Sequence, residues 1–250
     1  MNSFQDKVVI VTGGSSGIGR AAAMSFATVG AHVLITGRRA EILEKVESEH
    51  ENIESLVADT AKPEDASRTI SRAIELWGGL DVLVNNAGAG AIMPLANATA
   101  ERVNEIFAVN VLGPSLLARE SLPHLEKTKG SIINISSTFG SKPGAGLSHY
   151  GASKAALEHL TRCWALELAP AGIRVNAIGV GPTESGALVG MMRLSEEQAE
   201  AVKQQEREQI PLGRRGTPEE VAYWILALAD PAAVWVTGQV LGVDGGLGLI

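Results

Sequence analysis

Cysteine is almost absent: Cys163 is the only one in 250 residues, so no intrachain disulfide can form and the fold must rest on burial. No cluster of Lys or Arg stands out, and 21 basic residues against 28 acidic ones leave a formal charge of −7. That balance argues against a phosphate-neutralising surface for nucleic acid. No apolar run approaches the roughly 18 residues a membrane-spanning helix needs, and residues 1–10 carry no charged-then-apolar leader. The cytoplasm is the expected compartment, with neither a membrane nor nucleic acid as partner. HExxH, CxxC and paired-histidine spacings are missing, so no metal is expected. No fixed-period repeat or Pro/Gly/Ser linker divides the chain, and residues 1–250 read as one domain.

What is present is apolar enough to fold: 45% of the residues are hydrophobic and 20% charged. Short β-branched runs at 7–12, 32–36, 53–57, 80–85, 131–136, 174–178 and 239–243 alternate with helical patterns at 17–29, 41–51, 63–77, 100–126, 150–168 and 218–228. Repeated βα units look like this. VVIV, VLIT and VLVN are nearly all apolar, as expected of strands covered on both faces of a parallel sheet. The expected fold is an α/β, doubly wound, Rossmann-type sheet of about seven parallel strands. A closed eight-fold barrel would leave the glycine-rich segment after the first strand without a reason. Residues 181–209 break the rhythm, with a loop followed by the charged run SEEQAEAVKQQERE. Two readings stand, a solvated surface helix or a lid over a ligand crevice.

After the first strand comes TGGSSGIG at 12–19, opening straight into a helix. Gly13, Gly17 and Gly19 sit where the strand must turn, a pyrophosphate must approach the backbone, and the helix must pack close to the sheet. The helix N-terminus then offers free N–H groups and a positive dipole end to phosphate. The second strand ends Thr36-Gly37-Arg38-Arg39, with no carboxylate before Glu41. A carboxylate there would repel a 2′-phosphate, whereas Arg38, helped by Arg39, can clasp one, so NADP is expected over NAD.

Tyr150 and Lys154 lie four apart in a helical segment and share a face. A neighbouring cation favours phenolate over phenol and brings the phenol towards acid/base use. Ser137 stands upstream at the end of the fifth strand. With these residues in place, the chain closely resembles the short-chain dehydrogenase/reductase family over essentially its whole length. The resemblance rests on TGGSSGIG, NNAG at 85–88, Asn110 in FAVNVLG, Ser137 in INISS, YGASK at 150–154, RVNAI at 174–178 and LGVDGG at 241–246.

The resemblance implies a nicotinamide dinucleotide and Tyr150 as proton donor or acceptor. Lys154 would lower the Tyr150 pKa and hold the nicotinamide ribose, Ser137 would bond the substrate oxygen, and Asn110 would position a water linking Lys154 to solvent. It also implies a phosphate loop that includes Ser15, Ser16 and Ile18 beside the three glycines. Asn86, Ala87 and Gly88 would lie along the adenine ribose and fourth strand, Asp59 with Thr60 at the adenine, and Gly181 with Thr183 at the carboxamide. Asp59 has a second reading as a turn residue, Asn110 as a structural helix residue, and His149 as a partly exposed helix-start residue. One departure stands out: Val180 occupies the place where the family commonly has proline, and a more flexible backbone is expected there.

The expected reaction is reduction of a carbonyl, or oxidation of a secondary alcohol. The alternatives are an NAD-dependent alcohol dehydrogenase of the same family and a dinucleotide-binding regulatory protein without turnover. Apolar residues around the two long helices, among them Val109, Leu112, Leu116, Leu157, Leu160, Trp164 and Leu166, exceed what one sheet can cover. With the resemblance, they point to a homotetramer or dimer, and the tail 247–250 is expected to join a contact.

Overall fold

The computed structural model describes residues 3–250. Seven strands form one parallel sheet: β1 (Val8–Thr12), β2 (His32–Gly37), β3 (Ile53–Val57), β4 (Val82–Asn85), β5 (Ser131–Ile135), β6 (Arg174–Val180) and β7 (Val240–Val243). The order is β3-β2-β1-β4-β5-β6-β7, so the winding reverses between β1 and β4. Val9, Ile10 and Val11 of β1 pair there with Val82, Leu83 and Val84 of β4. At such a switch point the loops leaving the two strands part in opposite directions and open a crevice beyond their carboxyl ends.

The helices are α1 (Gly17–Thr28), α2 (Ala40–Glu47), α3 (Pro63–Trp77), α4 (Ala100–Phe107), α5 (Gly113–Thr128), α6 (Ser148–Leu168), α7 (Ala187–Gly190), α8 (Glu196–Gln209) and α9 (Pro218–Ala229). Two cores lie on opposite faces of the sheet. Val9 and Val11 face one core, with Phe26 of α1 and Ile225 of α9; Val8 and Ile10 face the other, with Ile70 of α3 and Leu117 of α5. Alternate residues of one strand serve different faces, which is why the strands read as unbroken apolar runs. Each fully buried large side chain contributes roughly 2 kcal/mol.

Several expected boundaries move. The single helix expected at 100–126 is two, α4 and α5, joined by one wide π turn at Ala108–Leu112. The helix expected to 51 stops at Glu47, where the Ser48 hydroxyl turns back onto the Lys45 carbonyl and the His50 ring accepts from the Asn52 N–H. β6 runs beyond 178 because Val180 pairs with Val243 and the Gly181 N–H reaches the Val243 carbonyl. Val180 is thus buried strand, and the flexible backbone expected there is not what forms. The charged run after 195 folds as α8, closed by a capping box at Ser195 and Gln198. Among the described residues, no helix is long and apolar enough to cross a membrane.

Candidate active site

The turn after β1 takes backbone that side chains resist. Gly13 and Gly17 have φ of 66° and 54°, and a Cβ on Gly19 would collide with the Gly13 carbonyl and the Asn86 amide. Ser16 precedes α1 without a side-chain cap, and the first turn holds no acidic residue, so the leading N–H groups of Gly17, Ile18 and Gly19 face outward. By contrast, α9 opens on a capping box between Thr217 and Glu220. Residues 13–17 also spell the G-x-S-x-G of a hydrolase elbow. The Ser15 hydroxyl lies 3.6 Å from where a Gly37 side chain would begin, at the end of β2.

The loop is braced from β4. The Asn86 amide donates to the carbonyls of Thr12 at 2.8 Å and Gly13 at 3.3 Å, while the Thr12 hydroxyl accepts from the N–H groups of Asn86 and Ala87, each at 3.0 Å. Thr12 was not among the expected site residues, although its place at the end of β1 beside NNAG signalled it. Arg38 and Arg39 are exposed at the carboxyl end of β2. Arg38 lies close enough to Glu105 to help hold that carboxyl below its ordinary range, behind the larger effects of Arg102 bonding and charge and of Arg193. Asp59 closes a turn by accepting from the Ala61 N–H at 3.1 Å, which is its turn reading; its own N–H donates to Asp65 at 2.7 Å. Thr60 packs where a Cβ on Gly113 would stand, next to α5.

Ser137, Tyr150 and Lys154 converge at the ends of β5 and α6, with 6%, 7% and 4% exposure. The Lys154 ammonium donates to the Ile135 carbonyl at 2.8 Å and lies 5.9 Å from the centre of the Tyr150 ring. Burial pushes the Tyr150 phenol above its ordinary value, and a hydrogen bond from Ser137 opposes that rise. Burial also pushes Lys154 down to about 8, against the pull of Glu158. Asn110, fully buried in the π turn, accepts from the Ala89 N–H at 2.8 Å and donates to the Ala89 carbonyl at 2.8 Å and the Ser153 hydroxyl at 2.9 Å. Ser153 in turn donates to the Tyr150 carbonyl at 2.7 Å. The Asn110 side chain therefore clamps the segment after β4 to α6, as its structural reading anticipated. His149 is half-buried and sits beside the Ser148 hydroxyl.

Residues after β6 close over this cleft. Met191 sulfur lies 3.5 Å from where a Gly88 side chain would begin, and Met192 and Tyr150 both crowd the same point on Gly90, at 2.9 and 3.1 Å. Arg102 bonds Glu105 and the Gly90 carbonyl, and Arg193 reaches Glu105 at 3.1 Å. Thr183 donates to the Gly181 carbonyl at 3.0 Å, and its own carbonyl accepts from the buried Arg215 at 2.6 Å. Arg215 also pairs with Glu206 of α8 and with Glu184. Sequence reasoning missed Arg102, Glu105 and Arg215, because ion pairs between distant segments leave no local pattern.

Residues 13–248 match the family model described as enoyl-(acyl carrier protein) reductase. The chain is 36% identical to 3-oxoacyl-(acyl-carrier-protein) reductase of Thermotoga maritima over 249 residues, covering 98% of both. It is 38% identical to glucose 1-dehydrogenase of Gluconobacter oxydans, covering 98% of this chain and 93% of that one. The crystal structure of 3-ketoacyl-(acyl-carrier-protein) reductase from Brucella melitensis complexed with NADH superposes with a TM-score of 0.91 at 33% identity, covering 98% and 99% of the two chains.

Proposed function

Because the chain belongs to the short-chain dehydrogenase/reductase family of NAD(P)-dependent oxidoreductases, we propose that it interconverts a ketone and a secondary alcohol with NADP(H), using Tyr150 as the acid/base. The observation that carries this is the joint burial of Ser137, Tyr150 and Lys154, the last two against Gly90 and Gly88 in the segment whose Asn86 braces the glycine turn. A dinucleotide fits what is there: a turn with no room for side chains, uncapped N–H groups at α1, and two exposed arginines with no carboxylate at the end of β2. When bound, it supplies the hydride that adds to the carbonyl carbon.

The protein's share is orientation and proton handling. Ser137 donates to the substrate oxygen and holds it against the Tyr150 hydroxyl. Burial keeps Tyr150 protonated at neutral pH, the state a donor needs. As hydride adds to carbon, the Tyr150 proton passes to oxygen, and the Lys154 ammonium stabilises the phenolate left behind. The clamp through Asn110 and Ser153 keeps α6 and the segment after β4 in register with both groups. Arg38 and Arg39 favour the 2′-phosphate of NADP, residues 181–209 act as the substrate lid, and the protein works as a cytoplasmic homotetramer on a small molecule.

A spectrophotometric panel of ethyl acetoacetate, acetoacetyl-coenzyme A and, in the reverse direction, D-glucose tests the reading with both cofactors. NADPH is expected to outperform NADH, and Tyr150→Phe to lower kcat by at least about a thousand-fold. Arg38→Asp is expected to reverse the cofactor preference. Full turnover by Tyr150→Phe would remove Tyr150 from the proton transfer, whereas tight NADPH binding with no turnover of any carbonyl would point instead to a binding protein.

A further inference from the structure

We propose that Glu158, one helical turn beyond Lys154 on α6, is a positioning residue for this reaction, fixing Ser136 at the end of β5 and keeping the Lys154 ammonium charged in a dry site. The proposal rests on the roles of Tyr150 and Lys154 argued above. Glu158 is a carboxylate only 6% exposed, and the Ser136 hydroxyl donates to it at 2.8 Å. Ser136 lies between Ile135, whose carbonyl holds the Lys154 ammonium, and Ser137, which bonds the Tyr150 phenol. Holding Ser136 therefore sets both neighbours. Gly140 lies so close to the carboxylate that any side chain there would displace it. Tyr150, Lys154 and Glu158 recur every fourth residue and so share one face of the helix.

The charges around Glu158 are few. On α6 itself they are Lys154 and the half-exposed Arg162, 3.9 Å away. β5, the 3-10 turn Thr138–Gly140 and the π turn bring none. From β6 only Arg174 is charged, and it is spent on the carbonyls of Leu228, Ala229 and Asp230. On α4, Arg102 and Glu105 are paired with each other, and Glu101 is exposed. Asp244, which accepts from Thr138 beside the turn, also takes the Gly246 and Gly248 N–H groups. A buried carboxylate with so little competition acts mainly on Lys154, whose fall to about 8 it opposes.

The pH dependence of kcat/KM for NADPH-dependent reduction, measured with whichever of ethyl acetoacetate and acetoacetyl-coenzyme A turns over faster, decides the matter. Glu158→Gln keeps an oxygen for Ser136 but removes the charge. A carboxylate favours the ammonium, so its loss is expected to move the falling alkaline limb down by about one pH unit. Glu158→Asp keeps the charge, and its limb is expected within a few tenths of a pH unit of the parent's. Arg162→Gln removes a competing cation from a half-exposed site, and its limb is expected to rise by a few tenths of a pH unit. Coincident limbs for Glu158→Gln and the parent overturn the proposal, because a purely structural role would lower the rate without moving them. If Glu158→Gln does not fold, Arg162→Gln decides alone, with an unmoved limb overturning the idea. A Tyr150→Phe control separates the two levels: an inactive control with unmoved limbs removes only the role of Glu158, whereas an active one removes the parent reading as well.

Discussion

An ammonium with 4% exposure, held on one carbonyl beside a phenol, is costly to keep charged, and Lys154 carries that cost below about pH 8. The sign follows from proton counting. Its folded value, about 8, lies below its ordinary 10.5, so between those values the unfolded chain binds more protons than the folded one. Stability therefore rises with pH across that window, with the same sign as for a salt-bridged carboxylate, whose folded value is also depressed, but at alkaline rather than acid pH. Lys154→Met has no such titration. Urea unfolding of both proteins is expected to show wild type gaining about 2 kcal/mol on the variant between pH 7.5 and 9.5. A gap that stays constant would mean that Lys154 is not held at a depressed value. Tyr150 behaves oppositely: its burial favours the neutral phenol, so the resting site is set to give a proton.

At the scale of elements, the π turn between α4 and α5 does more than join two helices. A regular helix over the same residues would rotate Asn110 away from Ala89, whereas the wider turn aims its amide at that backbone and at Ser153. Asn110→Leu preserves bulk but leaves both polar groups of Ala89 and the Ser153 hydroxyl without this partner. It is expected to cost about 2 to 4 kcal/mol in urea unfolding and to lower kcat in the fraction that folds. A loss under about 0.5 kcal/mol would show that the clamp is dispensable. The segment after β6 is tied down differently, by Arg215 on the Thr183 carbonyl and by ion pairs to Glu184 and Glu206. α8 exposes most of its charged residues, and its Lys203 and Arg207 reach Glu184 in the segment after β6.

For the whole molecule, several large apolar side chains stay exposed in the last thirty residues of the chain. Among the described residues β7 ends the sheet on one side, and beyond α9 Val234 and Trp235 are 73% and 97% exposed. Tyr223 and Trp224 stack edge to face on α9 close by in the chain, and Leu249 and Ile250 are exposed at the tail. Leu112 and Leu166 are exposed on the helices where surplus apolar surface was expected, while Leu157 of that set belongs to the core. Edge strands and exposed aromatic side chains are surfaces that soluble proteins normally cover. Light scattering at micromolar concentration is expected to read a tetramer, and Tyr223→Asp with Trp235→Asp to halve the mass. A monomer for the unaltered protein would contradict the proposed assembly.

The amino-acid order alone determined the parallel sheet, its strand count, the glycine turn and the Tyr150–Lys154 pair, because each depends on contacts within a few residues or on a period set by backbone geometry. Only the tertiary structure decided that β1 lies beside β4, so that Thr12 and Asn86 lock the turn, that Asn110 is a clamp, and that Glu158 stands behind Lys154 through Ser136. These pairings join residues far apart in the chain, through side-chain directions that no local pattern encodes. The same buried setting that brings the groups together sets their proton affinities: removing water from around Tyr150 and Lys154 shifts both, and water is excluded only once the sheet and helices have closed around them.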